Sequence, residues 1–177
     1  MEILKQMTGK PLDAIFVCCG GGGMLAGVAA YVKEIRPEVR VVGVEAEDAA
    51  GMTRSLQCNK RTELSHVGLF ADGAAVRKIG AETFRVAREL VDEMVTVSND
   101  EICAAIKDAF NDTRTVMEPA GALAVAGLTK HIRQGREVNS SYGRRLRDGS
   151  CTFAAITSGA NMDFDRLRFV SERADDR

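Results

Sequence analysis

Residues 13–27 read Asp13-Ala-Ile-Phe-Val-Cys-Cys-Gly-Gly-Gly-Gly-Met-Leu-Ala-Gly27. The apolar run up to Cys19 has no polar alternation, as expected of a strand buried on both faces. Gly20 to Gly23 form a loop. Met24 to Arg36 is apolar almost all round and stops at Pro37, which predicts a buried helix. Such a helix points its unpaired N–H groups and positive dipole end into the loop. Four glycines keep those amides clear of any Cβ, so the loop suits a phosphate better than a plain turn.

The same alternation continues along the chain. Residues 2–7 read as a helix end stopped at Gly9, so the chain is expected to begin inside a helix, as a fragment would. Val39 to Glu45 is a second strand, and Asp48 opens a helix to about Cys58. Residues 59–80 are irregular and contain Phe70-Ala-Asp-Gly73; Ala81 to Val91 is helical, and Met94 to Val97 a strand. Ser98-Asn-Asp-Glu101 spells a capping box, and Ile102, Ala105, Ile106, Ala109 and Phe110 behind it share one helix face. Glu118-Pro119 starts another helix, apolar through Leu128. Arg133 to Ser150 is polar and rich in Arg and Gly, and is expected to be a solvated loop. Thr152 to Thr157 is a last strand, then Ser158-Gly-Ala-Asn161 and a short helix. The fold class is α/β, an open parallel sheet with flanking helices.

The 177 residues suit one domain, and 24 basic against 25 acidic residues leave a net charge of −1. No basic field favours nucleic acid or an anionic membrane, so small molecules or protein are the expected partners. No apolar run is long enough to span a bilayer, and the amino terminus resembles neither a signal nor a transit peptide. The five cysteines (Cys18, Cys19, Cys58, Cys103 and Cys151) form no C-x-x-C pair. Buried, unreactive thiols in an intracellular, reducing compartment are expected.

Ligands of open parallel sheets sit at the carboxyl ends of strands, where Gly20–Gly23, Glu45 and Ser158–Asn161 fall. Gly21, Gly23 and Ala26 also fit G-x-G-x-x-A, with Glu45 where a dinucleotide fold keeps its ribose-binding acid. A non-catalytic dinucleotide-binding module is therefore an open alternative on spacing alone.

Cys19-Gly-Gly-Gly-Gly-Met-Leu-Ala-Gly27 and Thr157-Ser-Gly-Ala-Asn-Met-Asp-Phe-Asp-Arg-Leu-Arg168 together resemble the biosynthetic threonine ammonia-lyases (threonine dehydratases). These belong to the fold-type II, tryptophan synthase β-like pyridoxal-phosphate family that also holds serine racemase. Further similar stretches are Val44–Asp48, Val67–Gly73, Asp100–Phe110 and Glu118-Pro-Ala-Gly-Ala-Leu123. The resemblance implies pyridoxal 5'-phosphate as cofactor, with Gly20, Gly21, Gly22, Gly23 and the Met24 amide on its phosphate. Ser158 would meet the pyridine nitrogen, Glu118 would lie near the ring, and Gly73 would line the substrate side. It implies threonine as substrate with serine secondary, a homo-oligomer in the complete enzyme, and a serine racemase or serine dehydratase as the alternative activity. The cation held near Glu45 in the serine-racemase branch needs a second acid that is Gly51 here, so no metal site is expected.

Each residue has a plainer alternative. Ser158 could cap the next helix, Glu118 could face a helix dipole, Glu45 could sit solvated, and Gly73 could be a turn residue. His66 and His131 have no acid or nucleophile placed to pair with them and are read as structural or surface residues. The chain departs from the family pattern at Cys18, often a proline there. The larger departure is the Schiff-base lysine, since none of Lys5, Lys10, Lys33, Lys60, Lys78, Lys107 and Lys130 lies in a Ser-x-Lys-x-Arg-Gly stretch. Residues 1–177 are thus expected to be the C-terminal part of a catalytic domain, with the lysine-bearing half and the regulatory domain outside the chain. Alone, such a piece is expected to be inactive.

Overall fold

The protein, seen in a computed structural model, is described over residues 1–174. α1 (Glu2–Gln6) leads into β1 (Ala14–Cys18), whose residues alternate between the faces of the sheet. Ala14 and Phe16 join one apolar core, Ile15 and Val17 the other, which is why the strand carries no polar residue. α2 (Gly23–Ile35), β2 (Arg40–Ala46), α3 (Gly51–Gln57), α4 (Ala81–Leu90) and β3 (Glu93–Val97) follow. α5 (Asn99–Thr113), α6 (Pro119–Glu137), α7 (Ser141–Arg147), β4 (Phe153–Ala155) and α8 (Phe164–Arg173) complete the order. A short 3₁₀ turn covers Glu47–Ala49, so the helix expected from Asp48 begins only at Gly51; another covers Asp72–Ala74.

The four strands are parallel in the order β3-β2-β1-β4. β1 pairs with β2 from Ala14–Arg40 to Cys18–Val44, and with β4 from Ala14–Phe153 to Phe16–Ala155. The carboxyl ends of all three therefore open on one edge. Residues of α5, α6 and α8 cover one face; α2, α4 and Met52 of α3 cover the other. α6 lies close on the sheet because a Cβ on Gly127 would come within 2.5 Å of the Val44 side chain. The open parallel α/β sheet is as the sequence implies.

Two local readings need correction. α2 buries one stripe, Leu25, Ala26, Ala29 and Val32, while Tyr31 and Ile35 stay exposed. The segment from Arg133 to Ser150 is no solvated loop: α6 continues to Glu137 and α7 folds back on it. Leu146 is buried against Gly135, and a Cβ on Gly143 would lie 2.0 Å from the Val138 carbonyl oxygen. Ser140 caps α7 by accepting from the Gly143 amide at 3.0 Å. Tyr142 meets the buried His131 ring at 2.6 Å, and His131 lies 3.5 Å from Glu93, which is paired in turn with Arg40. His131, read as structural, is the centre of a structural cluster, with an acid beside it in space that the sequence did not place there. Few large apolar residues hold this hairpin, so composition hides it.

The capping box of α5 is present. Ser98 Oγ accepts from the Glu101 amide at 3.2 Å, and Glu101 accepts from the Ser98 amide at 2.9 Å. Burial works to raise the Glu101 carboxyl, but the Ser98 amide, Lys130 and Arg133 outweigh it and leave the group below its ordinary value of 4.5. A lowered folded-state pKa contributes stability that is complete above 4.5 and lost as pH falls through the folded value. Urea unfolding is expected to show Ser98→Ala less stable by about 1 kcal/mol at neutral pH. Below pH 4.5 the wild type should lose stability more steeply than Glu101→Gln; equal slopes would refute this assignment.

The cysteines also depart from uniform burial: Cys19 and Cys103 are buried, Cys18 and Cys151 half-buried, and Cys58 exposed. Burial pushes the Cys18 and Cys103 thiols up to about 11. Maleimide should therefore modify one thiol rapidly in the native protein, and Cys58→Ser should abolish that fast phase.

Candidate functional site

The last bond of the first strand's exit is the Cys19 amide to the Val44 carbonyl at 2.8 Å. Beyond it the amides of Gly20, Gly21, Gly22, Gly23 and Met24 find no partner among the described residues. Gly22 is the N-cap of α2 at φ 87°, in the left-handed region, and brings no capping side chain. The loop has a braced side and an open side. A Cβ on Gly20 would lie 2.9 Å from Ala74 Cα, and one on Gly22 would lie 2.7 Å from Met52 Cε and 3.1 Å from Thr83 Cβ. Gly21 and Gly23 would meet nothing within 4 Å, and Met24 is exposed. These are bare donors at the mouth of a 13-residue helix, facing open space, the arrangement that suits an anion.

Ser158 follows β4, the strand beside β1, and its half-buried hydroxyl has no partner among the described residues. It does not cap the next helix, because α8 starts at Phe164 with Asp163 as its N-cap. Glu118 is the N-cap residue of α6, yet its side chain caps nothing there. Its carboxylate accepts from the Asn161 amide at 3.1 Å, and its own amide donates to the Gly159 carbonyl at 3.1 Å. Gly159 takes the left-handed φ of 78° that lets the turn wrap the Glu118 carboxyl. A Cβ on Gly121 would lie 1.6 Å from the Ser158 carbonyl oxygen, so Gly121 admits the turn to the helix start. Gly73, in the Asp72–Ala74 turn, faces the same place: its Cβ would be 3.1 Å from both Glu118 Oε1 and Ala120 Cβ. Burial, and after it the charges of Glu118 and Glu45, raise the thiol of Cys18 at the strand end to about 11.

Glu45 has a different task from either reading of it. It is fully buried and accepts from the Met52 amide at 2.7 Å, the Thr53 amide at 2.8 Å and the Thr53 hydroxyl at 2.7 Å. Burial raises its carboxyl despite these donors. It caps α3 from below, so it is neither solvated nor open to a ribose, and the dinucleotide reading loses its acid. Gly51 is buried beside Ile79 at the start of the same helix. His66 is exposed in the 59–80 segment. The braces Ala74, Met52 and Thr83 and the clearance at Gly121 were not readable from sequence, since each acts across a long separation.

The chain matches the family model described as "Pyridoxal-phosphate dependent enzyme" over residues 1–141. It is 57% identical over 176 residues to a biosynthetic L-threonine dehydratase of Burkholderia multivorans, covering 99% of this chain and 32% of that protein. It is 54% identical to the mitochondrial threonine dehydratase of Saccharomyces cerevisiae, covering 98% of this chain and 29% of the relative. Among solved structures, the processed form of threonine deaminase isoform 2 from Solanum lycopersicum superposes with a TM-score of 0.87 at 42% identity. The match covers 98% of this chain and 47% of that one. The chain spans about a third of the length of the curated relatives it matches. With the glycine loop and the Ser158 turn following neighbouring parallel strands, the match over most of its length means that this chain belongs to the family of pyridoxal-phosphate-dependent enzymes.

Proposed function

We propose that this chain is the cofactor-cradling part of a threonine ammonia-lyase, which converts threonine to 2-oxobutanoate and ammonia with serine as a secondary substrate. The observation that carries the reading is the pair of unpartnered donors on adjacent strands: the Gly20–Met24 amides after β1 and the Ser158 hydroxyl after β4. The glycine amides hold the phosphate, and Ser158 meets the pyridine nitrogen. A hydroxyl there does not keep the nitrogen fully protonated as a carboxylate would. When bound, pyridoxal phosphate supplies an electron sink for the substrate's α-carbon. Glu118 keeps the Ser158 turn in place through Asn161 and Gly159, and Gly73 lines the substrate side.

The lysines support a division of labour with residues outside this chain. Lys33 is bound to the Pro37 and Val39 carbonyls and Asp92, Lys78 to Glu63, and Lys130 to Glu47 and Glu101. In this reading the complete enzyme is a homo-oligomer in a reducing compartment, and this chain alone turns over no threonine.

Treating the purified chain with pyridoxal phosphate and borohydride should leave no stoichiometric adduct at a single lysine. Co-expression with the amino-terminal part of the Burkholderia relative should restore 2-oxobutanoate formation from threonine. Gly121→Ala, which pushes the Ser158 turn away, should abolish it. One labelled lysine together with turnover by the chain alone would overturn the division of labour. Tight NADH binding without any response to pyridoxal phosphate would overturn the function.

A further inference from the structure

We propose that Thr83 of α4 is a positioning residue for the cofactor phosphate, acting by fixing the orientation of the Gly21–Gly22 peptide. This deepens the reading that Gly20–Gly23 hold a phosphate and rests on it. Thr83 lies 62 residues away in sequence, yet its hydroxyl donates to the Gly21 carbonyl at 2.9 Å. A trans peptide carries its C=O and the following N–H on opposite sides. Tying the Gly21 carbonyl down to α4 therefore turns the Gly22 N–H the other way, away from α4. That amide has no partner among the described residues. Without the tie, a run of four glycines would sample many peptide orientations, and binding an anion would have to order them.

The same side chain sets the shape of the brace, since Thr83 Cβ and Oγ1 lie 3.1 and 3.2 Å from the Cβ position of Gly22. The hydroxyl has one proton and a second acceptor, the Gly80 carbonyl at 3.1 Å, so α4 competes with the loop for it. The contact to Gly21 is the shorter and the only one that reaches the cradle. Valine keeps the packing and deletes the donor, while serine keeps the donor and trims the packing; the pair separates the two contributions.

The ¹⁵N-labelled chain would be titrated with pyridoxal 5'-phosphate and, separately, with inorganic phosphate, following the amides of Gly20 to Met24. Thr83→Val should bind either anion about fivefold more weakly, the effect of one lost hydrogen bond, with an unchanged melting temperature. The loss of shift should be greatest at the Gly22 amide, and Thr83→Ser should restore most of the affinity. Equal affinities for wild type and Thr83→Val, or no rescue by serine, would overturn the positioning role while leaving the phosphate site standing. A wild-type chain whose loop amides respond to neither anion would overturn the phosphate site itself, and this role with it.

Discussion

The turn after β1 must reverse the chain into α2 within four residues, and it does so by leaving five consecutive amides without a partner among the described residues. Buried backbone donors without partners are costly, and these are tolerable because the loop faces open space at Gly21 and Gly23. The rest of the site answers to this constraint. The left-handed Gly22 aims α2 so that its dipole adds to the bare amides, and Ala74, Met52 and Thr83 fill the side away from the open space. Met52 is fixed in turn by Glu45, whose buried carboxylate takes the Met52 amide. A buried carboxyl at the end of β2 thus helps hold the floor of the loop.

The second half of the site is organised around one helix start. Glu118 gathers the Asn161 amide and the Gly159 carbonyl, and the absence of a Cβ at Gly121 and Gly73 lets two turns approach α6 together. Parallel pairing of β1 with β4 brings that turn beside the glycine loop. Burial first, and the charges of Glu118 and Glu45 after it, push the Cys18 thiol up, which disfavours the thiolate at neutral pH. The two halves are far apart in sequence and meet only through strand order.

Short-range chemistry was legible. The unalternating strand, the glycine run, the Ser98–Glu101 box and Glu118-Pro119 each encode their geometry within a few residues. The α6–α7 hairpin was not, because its contacts are a buried histidine, a tyrosine hydroxyl and two glycines that make room for neighbours. A window of polar residues looks the same whether it is solvated or folded back on a helix. Glu45 was misread for a related reason: a carboxylate at a strand end is ambiguous until the elements packed above it are known.

By itself the sequence determined that β1, its glycine loop and α2 form a strand-to-helix turn with bare amides, since backbone freedom and helix polarity are local properties. It also determined that Ser158 follows another strand. Tertiary structure alone decided that these ends are neighbours, that Glu45 serves a helix cap, and that Thr83 reaches the loop. Those outcomes depend on strand order and on close approach between distant segments, and neither is written in any short stretch of chain.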